Sequence, residues 1–180
     1  MKKKCFFVVL VAFVFCFLIS CGTGKSNNAT IQVKNGAYDW TAQDLIDALN
    51  AEIEETGDSR FLRIPDFNAS DEKIVIDDSS FEGLTLTLSV NTDGYITKIV
   101  IDWTTFKESL ERVNTCGLII GRLVGSIAPD EYDAIYDQLD MDAPGTSEYT
   151  TSASANGTDF NYKYQLNGMY QTLTITPALD

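Results

Sequence analysis

Carboxylates are the reactive side chains that this sequence supplies in abundance. The chain of 180 residues contains 26 aspartates and glutamates against 13 lysines and arginines, and it contains no histidine. The lack of histidine excludes Ser-His-Asp and Cys-His hydrolases, together with zinc, copper and iron sites built on imidazole. Carboxylate chemistry, lysine chemistry and the binding of cations through oxygen remain.

The segment from Asp66 to Asp77 carries oxygen-bearing side chains at alternate positions, among them Asn68. This spacing is similar to that of a calcium loop, in which alternate oxygens and a twelfth carboxylate surround the ion. The sixth position, where such a loop needs glycine, is Asp71, and no predicted helices flank the segment. An Asx-rich turn before a strand is the preferred interpretation. Asp66 and Asn68 are kept as candidate metal ligands.

A second group of carboxylates follows Pro129 on a predicted helix. Asp133 and Asp137 lie one helical turn apart, where like charges repel unless a cation lies between them. A solvated helix face explains the pattern without a ligand and is preferred, so no cofactor is predicted. Asp133 and Asp137 are the candidate metal ligands of this group, whose members are Asp130, Glu131, Asp133, Asp137, Asp140 and Asp142.

The segment from Gly22 to Ser26 ends in Gly-Lys-Ser, as nucleotide-binding phosphate loops do. Such a loop needs another glycine five residues before Gly24 to form its phosphate cradle. That position is Ile19, and no helical pattern follows Ser26. Nucleotide binding is therefore not predicted.

The start of the chain has the order of features of a bacterial export signal. A positively charged stretch, Met1–Lys4, precedes an unbroken apolar run, Cys5–Ile19. As a helix that run measures about 22 Å, which is short for a hydrocarbon core of about 30 Å. Its length is typical of the apolar region of a signal peptide.

The apolar run closes on Leu18-Ile19-Ser20-Cys21, which resembles the lipobox of bacterial lipoproteins. The resemblance covers residues 1–21. It implies cleavage between Ser20 and Cys21, a diacylglycerol thioether on the Cys21 sulfur and, in many members, acylation of the new amino group. It further implies a protein anchored by lipid to the cell membrane and facing away from the cytoplasm. An ordinary signal peptide cut elsewhere and an uncleaved anchor are the alternatives.

The remaining charge and cysteines limit the partners. Losing the lysines at positions 2, 3 and 4 takes the net charge from −13 to −16, and such a chain repels nucleic acid and anionic lipid headgroups. Membrane contact is therefore expected through the lipid on Cys21 alone. Cys116 then has no disulfide partner, and we interpret it as a buried, inert thiol.

Two functional hypotheses are compatible with these features. The preferred one is a non-catalytic, lipid-anchored binding or accessory module that recognises an unidentified protein, envelope polymer or small ligand. The alternative is a small hydrolase of the cell envelope that uses a carboxylate pair, as glycosidases do. No spacing in the chain marks such a pair, and the domain is small for a deep substrate cleft.

The chain divides into a signal peptide (1–20), a flexible tether (21–37) and a single α+β domain (38–180). Ile31 and Val33 alternate with polar residues near the end of the tether and predict an added edge strand. The domain pattern predicts two layers, with an antiparallel sheet of two three-stranded units and about three helices packed on one face.

The first half of the domain reads as a helix followed by three strands. Thr41 is the predicted N-cap of the helix, and Gly57 lies where it ends. Strands are predicted at 73–77, at 84–90 and from Tyr95 to Trp103. The last two form a hairpin about the turn that ends at Gly94.

The second half repeats this order. A helix is predicted from Phe106 to about Ile127, and its glycines at 117, 121 and 125 predict a close approach to the sheet. Pro129 then opens a short second helix. Two Asn-Gly turns, at 156–157 and 167–168, predict three strands whose facing pairs are Tyr149–Tyr164, Thr151–Tyr162, Ala153–Phe160, Tyr162–Leu173, Phe160–Ile175 and Leu166–Met169. The aromatic row Tyr149, Phe160, Tyr162 and Tyr164 is interpreted as core.

Overall fold

A computed structural model describes residues 30–68, 72–76, 83–104, 110–141, 148–165 and 170–178, with the backbone alone for 110–114. The strands of this part are β1 (Val33–Lys34), β2 (Ala37–Tyr38), β3 (Lys73–Ile76), β4 (Leu84–Val90), β5 (Ile96–Thr104), β6 (Glu148–Ala155), β7 (Thr158–Gln165) and β8 (Tyr170–Pro177). Its helices are α1 (Ala42–Thr56), α2 (Leu110–Ile127), a 3₁₀ turn (Pro129–Glu131) and α3 (Tyr132–Leu139).

The main sheet has six strands in the order β3-β4-β5-β8-β7-β6, and all neighbours are antiparallel. The predicted three-stranded units are its two halves, and they join through β5 and β8, where Ile101 lies opposite Leu173. Apolar side chains on one face of the sheet belong to a single core with those of the helices. The predicted α+β class and antiparallel sheet are confirmed.

The predicted register of the last three strands is confirmed. Tyr162 lies opposite both Thr151 and Leu173, and Phe160 lies opposite both Ala153 and Ile175. The Asn156-Gly157 turn has positive φ at both residues, 48° and 69°, as a tight hairpin turn requires. The second Asn-Gly turn, with the predicted pair Leu166–Met169, lies outside the described residues.

Helix α1 begins and ends at the predicted residues. The Thr41 hydroxyl accepts from the Asp44 N–H at 3.2 Å, and the Asp44 carboxylate accepts from the Thr41 N–H at 2.9 Å. This reciprocal pair is a capping box. Gly57 ends the helix in the left-handed conformation at φ 60°, which only glycine adopts without cost. The apolar stripe of the helix, Leu45, Ile46, Leu49 and Ile53, is buried.

A buried side chain fixes the segment that leaves α1. The Asn50 amide donates to the Ile64 carbonyl at 3.0 Å and accepts from the Ile64 N–H at 2.7 Å. Both residues are buried. Asn50 therefore supplies both hydrogen bonds that an adjacent strand would have supplied to Ile64, and the segment needs no regular structure of its own.

Gly117 and Gly125 of α2 do not bring the helix close to the sheet. Ile119 and Leu123 are fully buried, whereas these two glycines are half-buried. A Cβ added to Gly117 would meet nothing within 4 Å, and one added to Gly125 would lie 3.8 Å from the Tyr132 ring. The predicted close approach to the sheet is wrong at these two glycines, because neither has a sheet atom within 4 Å of the Cβ position. Gly125 instead leaves room for Tyr132 at the start of α3.

The segment from Ile31 to Ala37, which the sequence pattern assigned to the tether, packs on the domain. Ile31 is 5% exposed, and its N–H donates to the Ser126 carbonyl at 2.8 Å. β1 pairs with β2 as a separate hairpin instead of joining the edge of the six-stranded sheet. The physical reason is the turn at Asn35 and Gly36, both with positive φ, which folds β1 back onto the next residues of the chain.

Candidate functional site

The predicted lipidation site, Ser20 and Cys21, lies outside the described residues. The described chain begins at Thr30, next to the buried Ile31. Among the helices of the described part, none has the length and apolar character needed to cross a bilayer.

The predicted loop ligands Asp66 and Asn68 are exposed to solvent. The Asp66 side chain is 99% exposed and lies 3.7 Å from the guanidinium of Arg63, so its described neighbour is a basic side chain of the same loop. Asp77, the twelfth position of the frame, lies outside the described residues. No group of three or more aspartate, glutamate, cysteine or histidine side chains with the placement of a metal site occurs in the described ranges.

The other candidate ligands, Asp133 and Asp137, lie on α3 and are exposed. They point to solvent along with the acidic residues of the preceding 3₁₀ turn, Asp130 and Glu131. The structure therefore places them on a solvated, strongly negative helix face, where surface charges are screened by salt.

A half-buried ion pair lies between α1 and α2. Arg122 Nε is 3.5 Å from Glu52 Oε2, and the two side chains are 19% and 36% exposed. Desolvation raises the pKa of the Glu52 carboxyl, while Arg122 opposes this rise and Glu55 adds to it. Sequence reasoning missed this pair, because the partners are far apart in the chain and only the packing of two helices brings them together.

Two tyrosines of α3 extend this polar cluster. The Tyr132 and Tyr136 rings lie 4.8 Å apart. Burial raises the pKa of both phenols; Asp133 and then Glu52 add to the rise for Tyr132, and Tyr132 and then Cys116 add to it for Tyr136. Cys116 is buried, as predicted. The cluster pairs the Glu52 carboxylate with the Arg122 guanidinium, and Tyr132 lies near Glu52. It therefore brings together side chains of α1, α2 and α3.

The aromatic row is core, as predicted, apart from its outermost member. Phe160 and Tyr162 are fully buried, while Tyr149 is half-buried. The Tyr162 hydroxyl donates to the Gln171 side chain at 2.8 Å. Trp103, which sequence reasoning did not place in this row, stacks on Tyr162 with ring centroids 6.2 Å apart.

The opposite face of the six-stranded sheet carries exposed or half-buried side chains in the described residues. We call it the outer sheet face. It is polar, and its side chains alternate along each strand with the buried ones. Hydroxyl and amide groups predominate on it. The outer sheet face consists of Lys73, Val75, Thr85, Thr87, Ser89, Lys98, Val100, Asp102, Thr104, Glu148, Thr150, Ser152, Ser154, Asp159, Asn161, Lys163, Gln165, Tyr170, Thr172, Thr174 and Thr176.

The charges of the outer sheet face balance, unlike those of the whole chain. Its three lysines match its three carboxylates. The Thr172 hydroxyl donates to Asp102 at 2.5 Å, the Ser154 hydroxyl donates to Asp159 at 2.6 Å, and Lys163 lies 3.6 Å from Glu148. The carboxylates of this face are therefore compensated locally, and the excess negative charge of the described domain lies outside this face.

Comparison with known proteins leaves the family open. No protein-family model matches the chain, and no curated protein matches it. Among solved structures, the chain is similar to a DUF4309 family protein, YjgB, from Bacillus subtilis, with 14% sequence identity and a TM-score of 0.33. That alignment covers 79% of this chain and 88% of the other. A TM-score of this size carries no argument about function.

Proposed function

We propose that this protein is a lipid-anchored lipoprotein on the extracytoplasmic side of the cell membrane and acts there as a non-catalytic binding module. The outer sheet face is its binding surface. The observation that carries the proposal is the combination of a broad, polar sheet face, exposed or half-buried in the described residues, with the lipobox at Cys21.

The outer sheet face has the dimensions of a binding platform. Six strands spaced about 4.8 Å apart give it a width of about 24 Å between the edge strands. Strands β4 to β8 are each seven to nine residues long, which adds a depth of about 23 to 30 Å. A broad, open surface of this size suits an extended ligand better than a compact small molecule, which binds in a concave site.

The anchor keeps this platform close to the membrane. Nine peptide bonds separate Cys21 from Thr30, and this length of chain spans at most about 30 Å. A ligand of the outer sheet face is therefore expected in the part of the envelope next to the membrane.

The anchoring half of the proposal is tested on protein from the native host. Intact-mass analysis should show a chain that begins at Cys21 and carries added fatty-acid mass, and the variant Cys21→Ala should lose that mass and be released from the membrane fraction. An intact Met1, or a residue 21 without fatty acid, contradicts lipid anchoring. Surface digestion of spheroplasts with protease tests the side of the membrane: a protected domain contradicts the extracytoplasmic location.

One observation favours the hydrolase alternative. Glu52 has a raised pKa, as the general acid of a glycosidase does. Its described partner is Arg122, however, which stabilises the charged carboxylate and opposes a proton-donor role. Release of reducing ends from a polysaccharide panel tests this alternative. We expect no turnover by the wild-type protein; turnover that disappears in Glu52→Gln contradicts the binding-module proposal.

A further inference from the structure

We infer that the outer sheet face binds a polysaccharide strand. This inference rests on the proposed binding function and names the ligand class of the same surface. The inference is carried by the position of one exposed aromatic ring, Tyr170, among hydroxyl and amide side chains. The lysines and carboxylates of this face balance one another.

Tyr170 is the exposed aromatic residue of this face. It is 57% exposed and lies on β8, one of the two central strands, opposite Thr104 on β5 and Gln165 on β7. Its ring therefore presents a stacking surface to solvent at one end of a central strand. The apolar C–H face of a pyranose ring stacks on aromatic rings, and the tyrosine hydroxyl stays available for a hydrogen bond at the rim.

The surroundings of Tyr170 match the hydroxyl groups of a sugar. A row of outer-face residues crosses five strands, two residues along β8 from Tyr170. Its members are successive cross-strand neighbours: Thr85, Asp102, Thr172, Lys163 and Thr150. Threonine hydroxyls both donate and accept, and the carboxylate and ammonium groups add one strong acceptor and one strong donor. Sugar hydroxyls also donate and accept, so they can form hydrogen bonds with groups of this row.

This row also defines a direction. The five strands from β4 to β6 extend about 19 Å perpendicular to their axes, and Tyr170 lies beside the middle of the row. A glycan strand lying across the strands contacts the hydroxyl row along its length and stacks one ring on Tyr170. Many weak contacts of this kind give modest affinity for a short oligosaccharide and stronger retention on a long polymer, because neighbouring units rebind at high effective concentration.

The same composition argues against other macromolecules. Energetically important protein–protein contacts are enriched in tryptophan, tyrosine and arginine and poor in serine, threonine and valine. The outer sheet face has the opposite composition apart from Tyr170, and its lysines are offset by carboxylates. A net charge of −13 for the whole chain disfavours nucleic acid. A neutral, hydroxyl-rich polymer is the ligand class that this surface complements.

The test uses the mature lipoprotein purified in detergent micelles. Cosedimentation with insoluble chitin, cellulose and mannan, and with glycan strands from the native host's envelope, measures retention on polymers. Calorimetric titration with the corresponding soluble hexasaccharide then gives the dissociation constant. We expect retention on at least one of these polymers, and about tenfold weaker binding of its oligosaccharide for Tyr170→Ala.

Matched variants separate the role of the ring from folding. Tyr170→Phe keeps the stacking surface and should retain binding within about twofold to threefold. Tyr95 is also exposed, at 42%, but it lies just before β5, about 30 Å along that strand from the position beside Tyr170. The variant Tyr95→Ala should therefore bind as the wild type does. Gln165→Ala, next to Tyr170, should weaken binding about threefold. Circular dichroism of each variant verifies the fold.

The outcomes distinguish this inference from the proposed function. Lack of retention on all four polymers overturns the polysaccharide inference, and so does binding that Tyr170→Ala leaves unchanged. If envelope protein is captured instead and Tyr170→Ala abolishes that capture, the ligand class is wrong while the binding-module proposal stands. If the polymers are cleaved, the non-catalytic proposal itself fails.

Discussion

Replacing Asn50 by alanine removes both hydrogen bonds that hold the segment after α1. The Ile64 N–H and carbonyl lose partners at 2.7 Å and 3.0 Å, and Ile64 is only 1% exposed, so water replaces these partners poorly. An unsatisfied buried backbone group costs about 1 to 3 kcal/mol. With partial relaxation we expect a loss of about 3 kcal/mol, a large share of the total stability of about 5 to 15 kcal/mol.

Urea unfolding of the chain beginning after Cys21 measures this loss, with all variants in the same background. In thermal unfolding, the same loss should lower the Tm of a domain of this size by about 6 to 12 °C. Asn161→Ala is the matched control, because Asn161 is exposed on the outer sheet face; it should change the unfolding free energy by less than about 0.5 kcal/mol. A loss below 1 kcal/mol for Asn50→Ala would refute the two-bond account.

The variant Asn50→Asp tests the direction in which stability changes with pH. A protonated aspartic acid has the donor and acceptor of the amide, whereas the carboxylate faces the Ile64 carbonyl with no proton to donate. Burial and this repulsion raise the pKa of the new carboxyl above its unfolded value of about 3.9. The variant should therefore approach wild-type stability below the unfolded pKa and lose stability as the pH rises through the folded pKa. A deficit that stays constant between pH 3 and pH 8 contradicts the proposed donor role.

Two further predictions concern local features of the helices. Gly57→Ala should lower the free energy of unfolding by about 1 kcal/mol, because alanine is strained at φ 60° although nothing lies within 4 Å of its Cβ. Gly57→Asn should lower it less. Equal losses for both variants in urea unfolding would exclude the backbone explanation. Arg122→Met should raise the pKa of Glu52 further, because Arg122 lowers it in the wild type, so the variant should lose additional stability as the pH rises through that pKa. Carbon-13 NMR titration of the Glu52 carboxyl measures the shift, and a fall in its pKa would show that Arg122 is not the relevant partner.

Local chemistry explains which elements were predictable. The capping pair of Thr41 and Asp44, the end of α1 at Gly57 and the Asn156-Gly157 turn depend on residues within a few positions of one another. Such signals act before tertiary contacts form. The hairpin of β1 and β2 was not predicted, although Asn35-Gly36 is the same type of turn signal. The polar composition of residues 21–37 indicated a flexible tether instead.

The candidate site was less predictable than the fold. Alternation along β8 identifies which residues share a face, and this places Tyr170 with Thr172 and Thr174. It does not show which face the helices cover, since this depends on where the helices pack. Asp133 and Asp137, two of the acidic residues that dominate the composition, are exposed on α3.

The sequence by itself determined the helices, most of the strands and the register of the last meander, whereas the export signal before Cys21 stays a prediction. These features follow from periodicity and from turn or capping residues close together in the chain. The tertiary structure alone decided that β5 pairs with β8, that Glu52 meets Arg122 and that Asn50 holds Ile64. The physical reason is that an apolar pattern specifies which face of an element is buried, whereas the partner that covers it is selected by the packing of the whole chain.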